Sequence, residues 1–218
     1  MQLTSIIFDF GGVLCFHPTD QQIDELAALC RLPRERFLKI YWSMRADYDR
    51  AKLTPEQYWA AFAMAAGQTY APFEVAEMRR RDVEFWLSLD DRMMAWARQV
   101  RAAGYRTGLL SNLPIDLGEH LRNGLNFVAN FDHHSFSYEL GAAKPDAAIY
   151  RHAVEGLSVK PSEALFLDDR AENVEGARAA GLHAIQFESP ARLRESLEEL
   201  QRVAGRFVPF GAPPVLLE

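Results

Sequence analysis

Residues 5–14 read SIIFDFGGVL. A short apolar, β-branched run from Ser5 to Phe8 stops at Asp9, and Gly11-Gly12 then turn the chain. That is the signature of a buried strand whose carboxyl end carries an acid. The same pattern recurs further along. Tyr105 to Leu110 reads as a strand ending at Ser111-Asn112, and Ala164 to Leu167 as one ending at Asp168-Asp169. Phe131 to Ser137 and His183 to Phe187 read as two more strands. Helical patterns lie between them. Met94, Ala97 and Val100 share one face of a helix closed by Gly104; another helix runs from Asp116 to Leu125. Lys144-Pro145 opens a helix through Val154, Asn173 to Ala180 is closed by Gly181, and Ser189-Pro190 starts a last helix with Leu193, Leu197, Leu200 and Ala204 on one side. Strands alternating with helices imply a doubly wound α/β fold, a parallel sheet covered on both faces.

One block breaks the alternation. From about residue 18 to 88 the periodicity is helical only. Thr19 with Gln22, and Thr54-Pro55 with Gln57, are capping-box helix starts. Ile23, Leu26, Ala27 and Cys30 lie on one helical face, and Phe73 to Leu87 is a further helical stretch. The expected division is therefore a discontinuous α/β core, residues 1–16 and 89–218, with an inserted α-helical cap at 17–88. The tail from Gly205 is apolar and Pro-rich; it is expected to dock on the surface or on a neighbouring chain, and the assembly to be a monomer or homodimer.

The bulk properties narrow the classes. The chain has 218 residues, 49% hydrophobic and 25% charged, with a net charge of −6. These are globular values, and the acidic balance disfavours nucleic acid. It leaves room for a small phosphate ligand, which needs only local cations. Cys15 and Cys30 fit neither a disulfide framework nor a zinc pattern and are expected in the core. No run of 18 apolar residues points to a membrane, and no signal peptide is evident, so the expected location is the cytoplasm.

The chemistry follows from where the polar residues fall. In an open α/β sheet, ligands bind outside the carboxyl ends of the strands. Asp9, Ser111-Asn112 and Asp168-Asp169 would share that end, with Lys144 nearby. Singly, each is ordinary turn chemistry; together they make a cluster. Three close carboxylates repel unless a cation sits among them, and magnesium is the hard oxygen-liking ion usual beside phosphate. Asp9 would then be the nucleophile of an aspartyl-phosphate route. Ser111, Asn112, Lys144 and the N–H groups of Gly11 and Gly12 would hold the phosphoryl oxygens.

Taken in order, IIFDFGGVL, GLLSNLP, GAAKPDAAIY and ALFLDDRAENVEGARAAGL resemble the haloacid dehalogenase superfamily over about two-thirds of the chain. The branch most similar holds sugar-1-phosphate phosphatases and the phosphatase domain of epoxide hydrolases. The resemblance implies a Rossmann-like core, with Asp9 as nucleophile and magnesium ligand. It implies Asp169 and the Gly11 carbonyl as further ligands, and Ser111, Asn112 and Lys144 as binders of the transferring group. Asp168 would contact metal waters or Lys144, and Asn173 would support the ligands from behind. Gly11 is a departure, because most phosphatases of the superfamily carry a general-acid Asp there, worth about 10²–10⁴-fold. Its place could be taken by water, by the substrate, or from the cap by His17, Tyr48 or Asp49. The sugar-1-phosphatase branch is similar in carrying Gly.

The leading expectation is a magnesium-dependent phosphomonoesterase of a small sugar-type phosphate. The alternatives are a 2-haloacid dehalogenase, which Asp168-Asp169 disfavours, and a catalytically silent binding protein, which only Gly11 supports. His133-His134 would point to opposite faces of a strand and so cannot share a metal. Arg79-Arg80-Arg81 reads as a solvated helix face, and Trp42 and Trp59 as cap core.

Overall fold

Strand β1 (Ser5–Phe8) is the middle of five parallel strands. The others are β2 (Arg106–Ser111), β3 (His133–Phe136), β4 (Ala164–Asp168) and β5 (His183–Gln186), in the order β3-β2-β1-β4-β5. Phe8 is in register with Leu109 on one side and Leu167 on the other, so the three strands end within two residues of one another. The order reverses at β1, which is where a doubly wound sheet opens a crevice. The computed structural model describes residues 3–123 and 127–204, with side chains through residue 200. The apolar tail from Gly205 and the end of the expected Asp116–Leu125 helix lie outside the described residues.

Alternating side chains build two cores. Ile6, Phe8, Leu109, Leu165 and Leu167 face α6 (Asp91–Ala102), α7 (Ile115–Asn123) and α11 (Pro190–Ala204), which contribute Trp96, Leu117, Leu121 and Leu193. Ile7, Leu110 and Phe166 face α9 (Ala147–Gly156) and α10 (Ala171–Ala179), which contribute Ile149, Tyr150, Val154, Val174 and Ala177. Each such apolar side chain contributes about 1.5–3 kcal/mol by leaving water. A charge at Ile7 would break the second layer.

The remaining helices, α1 (Asp20–Leu29), α2 (Arg34–Ser43), α3 (Arg45–Asp49), α4 (Pro55–Ala66) and α5 (Pro72–Glu84), pack around their own core of Phe37, Tyr41, Tyr48, Tyr58, Trp59, Phe62 and Met78. Tyr48 and Tyr58 stack with centroids 4.3 Å apart. Both expected capping boxes are present, at Thr19/Gln22 and Thr54/Gln57. The helical block leaves and rejoins the sheet layer side by side: Phe16 N–H donates to Ser88 O and Asp90 N–H to Leu14 O.

Some expectations are corrected. Lys144-Pro145 does not open a helix; the peptide is cis and α9 begins at Ala147, after Asp146. The β3 strand is shorter than expected, because Ser137 starts a four-residue helix, α8 (Ser137–Leu140). The Asn173 helix begins two residues earlier, at Ala171. Trp42 is not cap core but 52% exposed, since Phe37, Ile40 and Tyr41 already fill the inner face of α2; Trp59 is fully buried. Arg79 is not a solvated face residue. Its Nε and Nη2 grip both oxygens of Asp116 on α7, at 2.9 and 2.8 Å, and Tyr48 Oη donates to the same carboxylate. Arg80 stays exposed and Arg81 half-buried, both paired with Glu77 and Glu84. His133 turns to His152, and His134 to Val128 O, on opposite faces of β3. Cys15 and Cys30 are free and buried. Among the described residues no helix is long and apolar enough to cross a membrane.

Candidate active site

Asp9 follows β1 directly, and its N–H continues the ladder by donating to Leu167 O at 2.9 Å. That fixes the carboxylate at the carboxyl end of the sheet, where it is 6% exposed. Both of its partners fall on Oδ1: Phe10 N–H at 2.7 Å and Lys144 Nζ at 2.7 Å. Lys144 also reaches Asp168 Oδ2 at 2.7 Å and Leu110 O at 3.3 Å. The three donors of one ammonium therefore have three acceptors.

The backbone of Lys144 is held as firmly as its side chain. Asn112 Oδ1 accepts from Lys144 N–H at 2.8 Å, and Asn112 Nδ2 donates to Lys144 O at 3.0 Å. Asn112, expected to offer its amide to phosphate oxygens, instead clasps the loop that carries Lys144. Asp168 is a second anchor. It accepts from Lys144, from Arg170 N–H and, on both oxygens, from Asn173 Nδ2 at 2.9 and 3.1 Å. Tyr150 Oη in turn donates to Asn173 O. Ser111 ends β2 beside these groups and is buried.

The turn after Asp9 brings in a second face. Gly12 has φ +74°, and a Cβ there would lie 2.6 Å from Asp169 Oδ2 and 2.7 Å from His17 Nε2. Only glycine suits both the dihedral and the crowding. The Gly12 N–H, expected to face the phosphoryl oxygens, is instead donated to Cys15 O. The Gly11 N–H and C=O take no part in the turn's own hydrogen bonds. Asp169 pairs with His17 through Oδ2 at 3.0 Å. Of the three cap-side candidates for proton transfer, only His17 reaches the cluster. Tyr48 is bonded to Asp116, and Asp49 to Arg45 within the cap.

Electrostatics explains the arrangement. Burial raises the Asp9 carboxyl pKa to about 7; Lys144 opposes this, while Asp168 and Asp169 reinforce it. Burial also pushes Asp168 up, but Lys144 and the hydrogen bonds override it and hold that group below the usual range. The hydrogen bond to Asp169 raises the His17 pKa. Asp9, Asp168 and Asp169 each place one oxygen within 4.8 Å of the others. Three carboxylates against one ammonium leave an excess of negative charge, and every donor is a hard oxygen. That set fits a small divalent cation and no soft one.

Trp86 was not anticipated. Its indole covers Gly11, so that a Cβ on Gly11 would lie 3.1 Å from Cζ3. It also meets the His17 ring edge-on, at 6.1 Å. Nothing local marks it, because it arrives from the far end of the helical block.

Comparison with known proteins accords with this geometry. A family model described as haloacid dehalogenase-like hydrolase matches residues 3–181. The chain is 34% identical to mouse (Mus musculus) "Acyl-CoA dehydrogenase family member 10" over 53% of its own length, but spans only 10% of that much longer protein. It is 25% identical to a D-ribitol-5-phosphate phosphatase of Bacteroides thetaiotaomicron, over 89% of this chain and 97% of that one. A HAD family enzyme of the same organism, solved with magnesium and inorganic phosphate, superposes with TM-score 0.72 at 18% identity, covering 85% of this chain and 94% of that one.

Proposed function

The chain belongs to the haloacid dehalogenase-like hydrolase family, and on that premise we propose that it is a magnesium-dependent phosphomonoesterase of small sugar-type phosphates, with Asp9 as nucleophile. The observation that carries this reading is the Asp9 carboxylate itself. One oxygen is tied to Phe10 N–H and Lys144, while the group lies within 4.8 Å of two further acids. The D-ribitol-5-phosphate phosphatase relative, matched over 97% of its length, supports a phosphatase of small phosphorylated metabolites.

In this reading Asp9 Oδ2 attacks phosphorus as the bond from phosphorus to the substrate's bridging oxygen breaks and that product leaves; water then attacks the phosphorus of the aspartyl-phosphate, releasing phosphate and restoring the Asp9 carboxylate. Lys144, held at 2.7 Å from both Asp9 and Asp168, keeps Asp9 oriented and balances charge as it is transferred. Asn112 and Asp168 are positioning residues: they hold Lys144 from its backbone and its tip. The Ser111 hydroxyl and Gly11 N–H remain to bind phosphoryl oxygens. Asp9, Asp169 and the Gly11 carbonyl would hold magnesium, with Asp168 and Asn173 behind them. When bound, the ion neutralises the carboxylates and withdraws charge from the phosphoryl oxygens. Residues 1–16 and 89–218 are the catalytic core and 17–88 the cap that meets the leaving group. A haloacid substrate fits less well, because its carboxylate would face Asp168 and Asp169.

The test is phosphate release from p-nitrophenyl phosphate and a panel of sugar phosphates, with magnesium and with EDTA. Magnesium-dependent release is the expected result. Chloride release from 2-chloropropionate without metal, and no phosphate release, would replace this reading with the dehalogenase one.

A further inference from the structure

The position two residues after the nucleophile carries no side chain, and one there would press on the ring of Trp86. Trp86 Cζ3 and Cε3 would lie 3.1 and 3.4 Å from a Cβ on Gly11. What faces the nucleophile turn there is the carbon edge of an indole, which cannot exchange a proton. The indole Nε1 is buried and has no hydrogen-bond partner.

Other proton carriers around Asp9 are committed. Lys144 has spent its three protons on Asp9 Oδ1, Asp168 Oδ2 and Leu110 O. Asp168 has both oxygens occupied by donors, Lys144, Arg170 N–H and Asn173 Nδ2. The Cys15 thiol is pushed far up by burial. His17 has its Nε2 on Asp169 and its ring against Trp86, with the side chain 61% exposed.

We infer that this site transfers phosphoryl only from donors whose leaving oxygen departs as a stabilised anion: aryl, acyl, enol or anomeric phosphates rather than phosphates of ordinary alcohols. The inference rests on the phosphomonoesterase reading above. The bond between Asp9 Oδ2 and phosphorus forms as the bond from phosphorus to the leaving oxygen breaks. The electron pair stays on that oxygen, which takes a proton from solvent water after departure. Water then attacks the phosphorus of the aspartyl-phosphate, the Asp9 carboxylate is restored, and the proton released balances the hydroxide left by the first step. A phenol ionises near pH ~10, whereas an alkoxide is about as basic as hydroxide, whose parent water has a pKa of about 15.7. Without an acid the second departure is far slower.

The experiment measures kcat/KM, with magnesium, for a series of substituted phenyl phosphates graded in phenol acidity, alongside glycerol phosphate, for the wild type and His17→Gln. Because kcat/KM reports the steps up to departure of the first product, it reads the leaving group directly. The expected result is a steep rise with phenol acidity in both proteins. Glycerol phosphate should fall about 10²–10⁴-fold below the best aryl ester, the factor a general acid otherwise supplies. A shallow series in both proteins, or glycerol phosphate as fast as the aryl esters, overturns the inference and leaves the phosphatase intact. A shallow wild-type series that turns steep in His17→Gln also overturns it, by making His17 the acid. Release from no phosphate at all sinks the phosphatase reading itself, and this inference with it.

Discussion

Replacing Asp9 with Asn should make the metal-free protein more stable at alkaline pH, although it removes the nucleophile. The Asp9 pKa is about 7 in the folded protein against 3.8 for the free group, with burial as the main cause. Between those values the folded protein keeps a proton that the unfolded chain has lost, so stability falls as pH rises through the window. At 1.36 kcal/mol per pH unit the penalty reaches up to about 4 kcal/mol above pH 7. Asparagine is nearly isosteric, and its carbonyl can still accept from Phe10 N–H and Lys144. It carries no charge to bury, so it escapes the penalty. At roughly 2–4 °C per kcal/mol for a protein of this size, the variant should melt several degrees higher at pH 8 in EDTA. The gap should shrink toward zero by about pH 3, below both pKa values, where both states of the wild type are protonated. Thermal denaturation followed by fluorescence at a series of pH values reads this directly. A variant less stable than wild type at pH 8, or a gap that does not change with pH, would refute the view that Asp9 is held under electrostatic strain. Such strain is the usual cost of a functional site.

Lys144→Met should abolish turnover and cost about 3–5 kcal/mol at neutral pH, because it leaves Asp9 and Asp168 buried and facing each other without their cation; urea denaturation should show the loss easing as pH falls and the pair takes up a proton. Arg79→Ala severs the two-pronged contact with Asp116 that ties α5 to α7. It should cost about 1.5–3 kcal/mol and raise KM more than it lowers kcat, measured by steady-state kinetics with denaturation alongside. Gly11→Asp should cost about 1–3 kcal/mol by pressing on Trp86, where an added Cβ already stands 3.1 Å from the ring. Pairing it with Trp86→Ala should recover part of that loss in the same melt.

What could be read before the structure was what depends on neighbours in the chain. The capping boxes at Thr19 and Thr54, the alternation through Ile6, Ile7 and Phe8, and the acids at the ends of β1 and β4 are all local signals. The rule that ligands sit beyond the carboxyl ends of parallel strands then brings Asp9, Asp168 and Asp169 together without any knowledge of side-chain geometry. The misreadings share a different cause. Asn112 faces the Lys144 backbone rather than a ligand, Gly12 donates its N–H back to Cys15, and Arg79 faces Asp116 rather than water. Each depends on which of several possible partners the tertiary packing supplies. Trp42 and Trp59 look alike in sequence, yet one is exposed and the other buried because the inner face of α2 is already full. Trp86 over Gly11 is the extreme case. The absence of a side chain at Gly11 is visible in the sequence, but the ring that fills the space comes from the other end of the cap.

The most direct test of the central claim is to mix the enzyme with magnesium and p-nitrophenyl phosphate, quench in acid, and search for a phosphoryl adduct by mass spectrometry of the digested protein. An acid-stable adduct is expected on the peptide carrying Asp9, and none in Asp9→Asn. Phosphate release without any adduct on that peptide, or release that survives in Asp9→Asn, would contradict it.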